Sequence, residues 1–245
     1  MSYNLIEKLK EILAKSTHLI AFTGAGLSAE SGIPTYRGVG GLWTKYNPEI
    51  YANIHHFLEN PSYYWNFFRE VRYPIIKQAL PNAVHYSLVK MEKEGKLKHV
   101  ITQNIDGLHQ IAGQSNVIEL HGNTRKIICM NCGKIHSLDQ AFKLLTQSLP
   151  PKCTSCQGLL RPNTVFFGES LPQKQLNKAM QLARDCDLLL VLGSSLVVSP
   201  AAQIPKIAKD GGAILVIINV DKTPLDHISD LVINDKISKF LSKIY

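Results

Sequence analysis

The chain has 245 residues, 45% of them hydrophobic, and a net charge of +8 at pH 7. That length suits one large domain or one domain with an insertion, and the absence of any run of about 18 apolar residues excludes a membrane-spanning helix. The basic balance favours acidic partners such as dinucleotides, but the lysines are scattered, so a solvated basic surface accounts for the charge equally well and direct nucleic-acid binding is not expected.

In residues 1–15, Leu5, Ile6, Leu9, Ile12 and Leu13 recur at helical spacing. Acids among them make this a covering helix and not a signal peptide, so the expected compartment is the cytoplasm. The apolar run His18–Phe22 reads as a buried parallel strand, and Gly24-Ala25-Gly26-Leu27-Ser28-Ala29 then fits G-x-G-x-x-G/A. Gly24 and Gly26 permit a tight turn and close approach of backbone to a pyrophosphate, and Ala29 lets a helix pack against the strand. A glycine-rich turn that only packs is the alternative. The acid expected some 20 residues on, to hold a ribose, is missing. Gly32 to Trp43 reads instead as a Gly/Pro-punctuated loop carrying Tyr36 and Arg37, a candidate lid.

Residues 44–80 are rich in aromatics. Pro61 opens a helix expected to end before Pro74, and a second helix spans Ala83–Lys93, stopped by Gly95. His99–Gln103 is the next strand and Asn116–Leu120 another. Gln103, Asn104, Asp106 and His121 lie at or just past strand ends, where α/β sheets bind ligands, with a satisfied structural histidine as the alternative for His121.

Cys129-x2-Cys132 and Cys153-x2-Cys156 flank twenty residues that include a helix over 138–149. Two such pairs fit tetrahedral thiolate zinc, closed and structural, with disulfides as the alternative. Cys186 opens an apolar strand and reads as buried. Arg161–Glu169 is read as an extended return to the main sheet. Then come a helix over 173–184, the strand Leu188–Leu192 with the small turn Gly193-Ser194-Ser195, and a helix from Pro200. The strand Ala213–Ile218 ends in Asn219, which can take the ribose role left vacant earlier. A last strand Leu231–Ile233 and a closing helix complete an α/β, doubly wound pattern.

GAGLSAESGIPTYRG, TQNID, His121-Gly122, the two Cys pairs, RPNTVFFGE, GSSL and Asn219 occur in the order seen in sirtuins, and the chain resembles that family from about residue 5 to 240. The resemblance implies an NAD-dependent protein lysine deacylase with a Rossmann-like doubly wound parallel sheet, formed by about 1–37, 82–123 and 160–245. It implies a small part made of insertions, helical over about 38–81 and a zinc ribbon over about 124–159. NAD would be the co-substrate and zinc structural. Acyl-lysine proteins, chromatin or nucleic-acid-binding proteins among them, would be the partners, without a membrane.

By the same resemblance, Ala25, Ala29, Tyr36 and Arg37 would contact NAD from the lid side, with Gly24 and Gly26 beneath. Gln103, Asn104, Ile105 and Asp106 would hold the nicotinamide and its ribose. Gly193, Ser194, Ser195, Asn219, Val220 and Ile237 would bind the ADP-ribose half. His121 would be the general base, with Asn104 and Asp106 beside it in the catalytic set. Val165 and Phe167 would line the acyl-lysine tunnel, and the peptide would pair as a strand between Gly168-Glu169 and Leu196-Val197. Thr35 resembles the branch that removes acidic acyl groups. Alignment places Phe68 and Val71 where that branch grips a carboxylate, so uncharged acyls are expected.

Overall fold

The computed structural model describes residues 2–245, with side chains from Asn4 onward; Met1, which the expected covering helix included, lies outside them. Helix α1 (Ser2–Lys15) leads into β1 (Leu19–Thr23), which is completely buried. Six strands form one parallel sheet in the order β3 (Val117–Glu119), β2 (Leu97–Thr102), β1, β7 (Leu188–Leu192), β8 (Ile214–Ile218) and β9 (Leu231–Ile233). Relabelled among themselves, these strands run 3-2-1-4-5-6, the doubly wound order, and it reverses between β1 and β7.

Strand side chains alternate between faces. Leu19, Ala21, Leu188, Leu190 and Val216 meet Leu9 and Leu13 of α1 and Val84, Leu88 and Met91 of α7 (Ala83–Lys93). Ile20, Phe22, Leu189, Val191 and Ile217 meet α10 (Gln173–Asp185) and α11 (Ile204–Asp210) on the other face. The chain's end closes with two 3-10 turns, Ile237–Lys239 and Leu241–Lys243, and not with the expected helix.

The insertion after the lid carries α3 (Pro48–Tyr51), α4 (Ile54–Glu59), α5 (Pro61–Phe67) and α6 (Tyr73–Gln78). Contrary to the sequence expectation, the helical path does not stop before Pro74. A π turn over Phe68–Arg72 joins α5 to α6, with the Tyr73 N–H donating to Phe68 O. Its extra residue accommodates a ring that has no N–H to give.

A second, three-stranded sheet runs β5 (Ile135–Ser137), β4 (Gly122–Cys129), β6 (Leu160–Thr164), with α9 (Leu138–Gln147) against it. Residues 160–164 therefore do not return to the main sheet as read from sequence; they pair antiparallel with β4. Trp65, Phe57, Tyr64 and Phe68 share one core with Ile127, Leu138 and Leu160, and the Trp65 indole donates to Leu160 O at 3.1 Å. The helical insertion and the ribbon are thus one body energetically. Among the described residues no helix is long and apolar enough to cross a membrane.

Between α7 and α8 (Leu108–Ala112) lie His85 and His109, buried, with ring centroids 5.1 Å apart. Burial pushes His85 down to about 4 and His109 down to about 3, the latter helped slightly by its neighbour. The unfolded chain, with imidazoles near 6.5, then binds more protons between those values, so stability is full above pH 6.5 and falls as pH drops through that window. A loss on the order of a few kcal/mol is expected by pH 4.5. Urea denaturation at pH 7 and 4.5, with zinc content monitored, checks it: His85→Gln should flatten the profile, and an unchanged slope in that variant would assign the effect elsewhere.

Candidate active site

The site forms where topology puts it, beyond the carboxyl ends of β1 and β7. The Gly24 N–H donates to Leu192 O at 3.0 Å and the Gly26 N–H to Gly193 O at 2.8 Å. A Cβ on Gly24 would lie 2.7 Å from Gly193 O, and one on Gly26 2.8 Å from Gly193 Cα. These glycines therefore let two strand-end turns interlock, a reason beyond the pyrophosphate approach expected from sequence. The helix that follows is short: α2 (Ala25–Ser28) is four residues long and passes into the 3-10 turn Ala29–Ser31. Its dipole is correspondingly small, and Ala25 is half-buried while Ala29 is exposed.

The turn after β2 is tied to this loop by side chains. The Asn104 amide donates to Gly24 O at 3.0 Å and to Ser28 Oγ at 3.2 Å. Ser28 Oγ donates to Asp106 at 2.7 Å, and the other Asp106 oxygen accepts the Leu108 N–H at 2.8 Å. Burial raises the Asp106 pKa, and these two donors with the Arg125 charge oppose it. Arg125 also donates to Asp106 O at 2.6 Å. Ile105 is half-buried between Asn104 and Asp106. Sequence reasoning gave Ser28 and Arg125 no role. Ser28 was visible as the lone polar residue inside the glycine motif; Arg125 carried no signal.

Gln103 faces both ways. Its amide donates to Ser194 Oγ at 2.7 Å, while its carbonyl accepts from His121 Nδ1 at 3.0 Å. A carbonyl only accepts, so the proton sits on Nδ1 and Nε2 keeps its lone pair. Burial lowers the His121 pKa, partly offset by this bond, so the ring is neutral at pH 7. The Val165 N–H donates to His121 O at 2.9 Å, fixing the backbone from the far side.

The lid is more ordered than a structureless loop. Leu42 and Trp43 donate back to Thr35 O and Tyr36 O at 2.8 and 3.0 Å. Tyr36 stacks near Trp43, with centroids 5.1 Å apart, and its hydroxyl accepts from Arg72 at 2.9 Å; Arg37 is exposed. Phe68, expected at the acyl site, is completely buried among Tyr64, Trp65 and Tyr73. Val71 is half-buried. The π turn instead brings Arg72 to the lid, over the Tyr36 ring at 5.1 Å.

Val165 is half-buried and Phe167 exposed, but both backbone groups of Phe167 are taken by the insertion, through Ala52 O at 2.7 Å and the Ile54 N–H at 3.0 Å. Glu169 is spent on Arg161, at 2.7 and 2.6 Å, and on the Phe166 N–H, so its side chain is structural. Gly168 adopts φ +89 beside it. Across the cleft Ser194 and Leu196 are buried, whereas Ser195 and Val197 are exposed. Leu196 holds the left-handed φ of +54, which a side chain adopts only when its surroundings enforce it. Asn219 donates to Asp221 O at 2.7 Å, with Val220 exposed beside it. The Ile237 side chain lies in the core, so only its backbone is left for a ligand.

The four sulfurs of Cys129, Cys132, Cys153 and Cys156 lie within 4.8 Å of one another. Cys129–Cys156 and Cys132–Cys153 are 3.5 and 3.8 Å apart, too far for disulfides and close to the edge of about 3.8 Å that Zn–S bonds of about 2.3 Å give a tetrahedron. The Asn131 and Ser155 N–H groups donate to Cys129 and Cys153 sulfur, as thiolates require. The donor set fits zinc, and its closure leaves the metal no open position for chemistry.

A model described as Sir2 family matches residues 24–200. The chain belongs to the Sir2 family. It is 48% identical to the NAD-dependent protein deacetylase of Sulfurisphaera tokodaii, covering 96% of this chain and 92% of that one. It is 45% identical to NAD-dependent protein deacylase 2 of Archaeoglobus fulgidus, covering 98% and 94%. Among solved structures it superposes on a Sir2–p53 peptide–NAD+ complex with a TM-score of 0.91 at 41% identity, covering 98% of this chain and 96% of that one. Sir2 bound to an acetylated peptide gives 0.90 at 40%. The Sir2 assignment agrees with the doubly wound sheet and the four-thiolate cluster found above.

Proposed function

We propose that this chain is an NAD-dependent protein lysine deacylase releasing nicotinamide, free lysine and O-acyl-ADP-ribose. The observation that carries it is His121, a neutral imidazole with Nδ1–H held by Gln103 O and Nε2 bare. NAD supplies an electrophilic ribose carbon and a leaving nicotinamide. The Gly24–Gly26 and Gly193–Ser194 turns would seat the diphosphate, Asn219 the distal ribose, and Gln103–Asp106 the nicotinamide end. Asn104 and Asp106, cross-linked through Ser28, would hold that end still while the acyl oxygen approaches. His121 Nε2 is then the group that accepts a ribose hydroxyl proton. Zinc would hold the ribbon and take no part in the reaction. Lysine-rich proteins, those of chromatin among them, fall within this reading because backbone pairing beside Val197 reads little sequence.

Val165 and Phe167 offer the acyl group an apolar wall, which suits an uncharged chain. Mass spectrometry of NAD with acetyl-lysine and succinyl-lysine peptides tests both points. O-acetyl-ADP-ribose should form, and kcat/KM for the acetyl peptide should exceed that for the succinyl peptide by about tenfold or more. ADP-ribosylated peptide as main product would replace deacylation by ADP-ribosyl transfer, and no turnover would leave an NAD-sensing module. Equal rates for the two acyls would overturn the apolar wall and the alignment behind it.

A further inference from the structure

Behind the Asn104 turn, closed off from the cleft, runs a chain of buried polar groups that the proposed reaction does not use. Asn104 N–H donates to Thr102 Oγ1 at 3.0 Å. Thr23 Oγ1 donates to Thr102 Oγ1 at 2.8 Å, across the register pair that ends β1 and β2. Thr23 Oγ1 also lies 3.0 Å from His109 Nε2. A hydroxyl has one proton, and that of Thr23 is given to Thr102, so Thr23 must accept from His109. The proton of neutral His109 is therefore on Nε2, and Nδ1 is a bare acceptor.

His85 is fixed by a separate argument. Its Nδ1 lies 3.3 Å from the Asn82 N–H in the capping box of α7. An amide N–H can only donate, so His85 carries its own proton on Nε2. Both rings are neutral near pH 7, because burial lowers both pKa values. Among the described residues, His85 Nε2 and His109 Nδ1 are buried side-chain atoms with no hydrogen-bond partner. One is a donor and the other an acceptor, assigned independently, in rings with centroids 5.1 Å apart. One internal water joins two such orphan groups of opposite sense when they lie in neighbouring buried rings.

We propose that His85, an internal water, His109, Thr23 and Thr102 form a buried relay that positions the backbone of Asn104 for NAD. His85 and His109 are positioning residues; neither touches the substrate. The inference rests on Asn104 being an NAD-binding residue, as in the function proposed above. Thr23→Val removes the middle link with little change of shape. His109→Leu removes the ring that joins Thr23 to the water, and His109→Gln restores an N–H near the place of Nε2.

Steady-state kinetics against NAD and against an acetyl-lysine peptide test the relay, with zinc content and thermal midpoint measured for each variant. Thr23→Val and His109→Leu should lower kcat/KM for NAD about tenfold, as expected when a buried bond is left unmade, with KM for the peptide unchanged. His109→Gln should recover most of the loss. Asn104→Ala in the same assay separates the two readings. If it is inert, the NAD role of Asn104 fails and the relay falls with it; if it collapses activity while Thr23→Val and His109→Leu match wild type, the relay alone is wrong. Nitrogen NMR of the unmodified protein gives a check that needs no variant. Both histidines should be Nε2-protonated, and an Nδ1-protonated His109 would overturn the relay.

Discussion

Chelation of zinc should melt the small part of this molecule and abolish turnover while the six-stranded sheet survives. The ribbon's own strands hold it weakly: β5 is three residues long, and β4 and β6 pair with a register break between Asn123 and Ile127. Four thiolates at contact distance, two of them buried, repel one another without a cation. Structural zinc in small modules is worth on the order of 10 kcal/mol, comparable to the whole stability of an ordinary domain. The damage should spread, because Trp65 and Phe57 of the helical insertion share their core with Leu160 and Cys153. Trp65 is therefore the reporter. Chelator, or Cys129→Ala, should red-shift its emission and expose Phe166, which lies 5.3 Å from Phe57 in ring centroids, beside the Phe167 segment proposed to face the acyl chain. Sheet signals in far-ultraviolet dichroism should persist, since β1, β7 and β8 are buried by other helices. A metal-free preparation with native tryptophan emission and full activity would rule out the four-thiolate zinc site.

The main sheet was legible in the sequence because its central strands are continuous apolar runs between small-residue turns. Leu188–Leu192 and the glycine motif carry their own signals. The cysteine spacing named the metal cluster with no help from structure. Three things were hidden, each for a physical reason. Strand β6 reads as an ordinary extended segment, and nothing local says which sheet it joins; only its antiparallel pairing with β4 does. The π turn at Phe68–Arg72 depends on a proline effect that can equally end a helix, so nothing local says that Arg72 reaches Tyr36 of the lid. The third is polar cross-linking. Ser28, Thr23, Thr102 and His109 lie up to 86 residues apart in pairs, and their bonds follow from strand register, which no motif encodes.

His121→Ala should slow turnover of an acetyl-lysine peptide by about 10²–10⁴-fold, the usual cost of losing a positioned base. NAD binding should be nearly intact, because the links between Asn104, Ser28 and Asp106 and between Gln103 and Ser194 do not pass through the imidazole. The geometry also fixes the pH dependence. Only the neutral ring accepts a proton, and burial lowers its pKa below the ordinary 6.5. Turnover in wild type should therefore hold at pH 7 and decline on an acid limb lying below 6.5, as the imidazole charges. The same limb should vanish in His121→Ala, whose residual rate has no imidazole to titrate. Asn104→Ala should also be slow, but by loosening the ribose end, so its residual activity should keep the acid limb. Calorimetry for NAD, zinc content and a rate profile from pH 5 to 8 distinguish the two. Near-wild-type turnover by a folded, zinc-replete His121→Ala would remove the base from the mechanism, and with it the main reason for reading this cleft as a catalyst in place of an NAD-binding site.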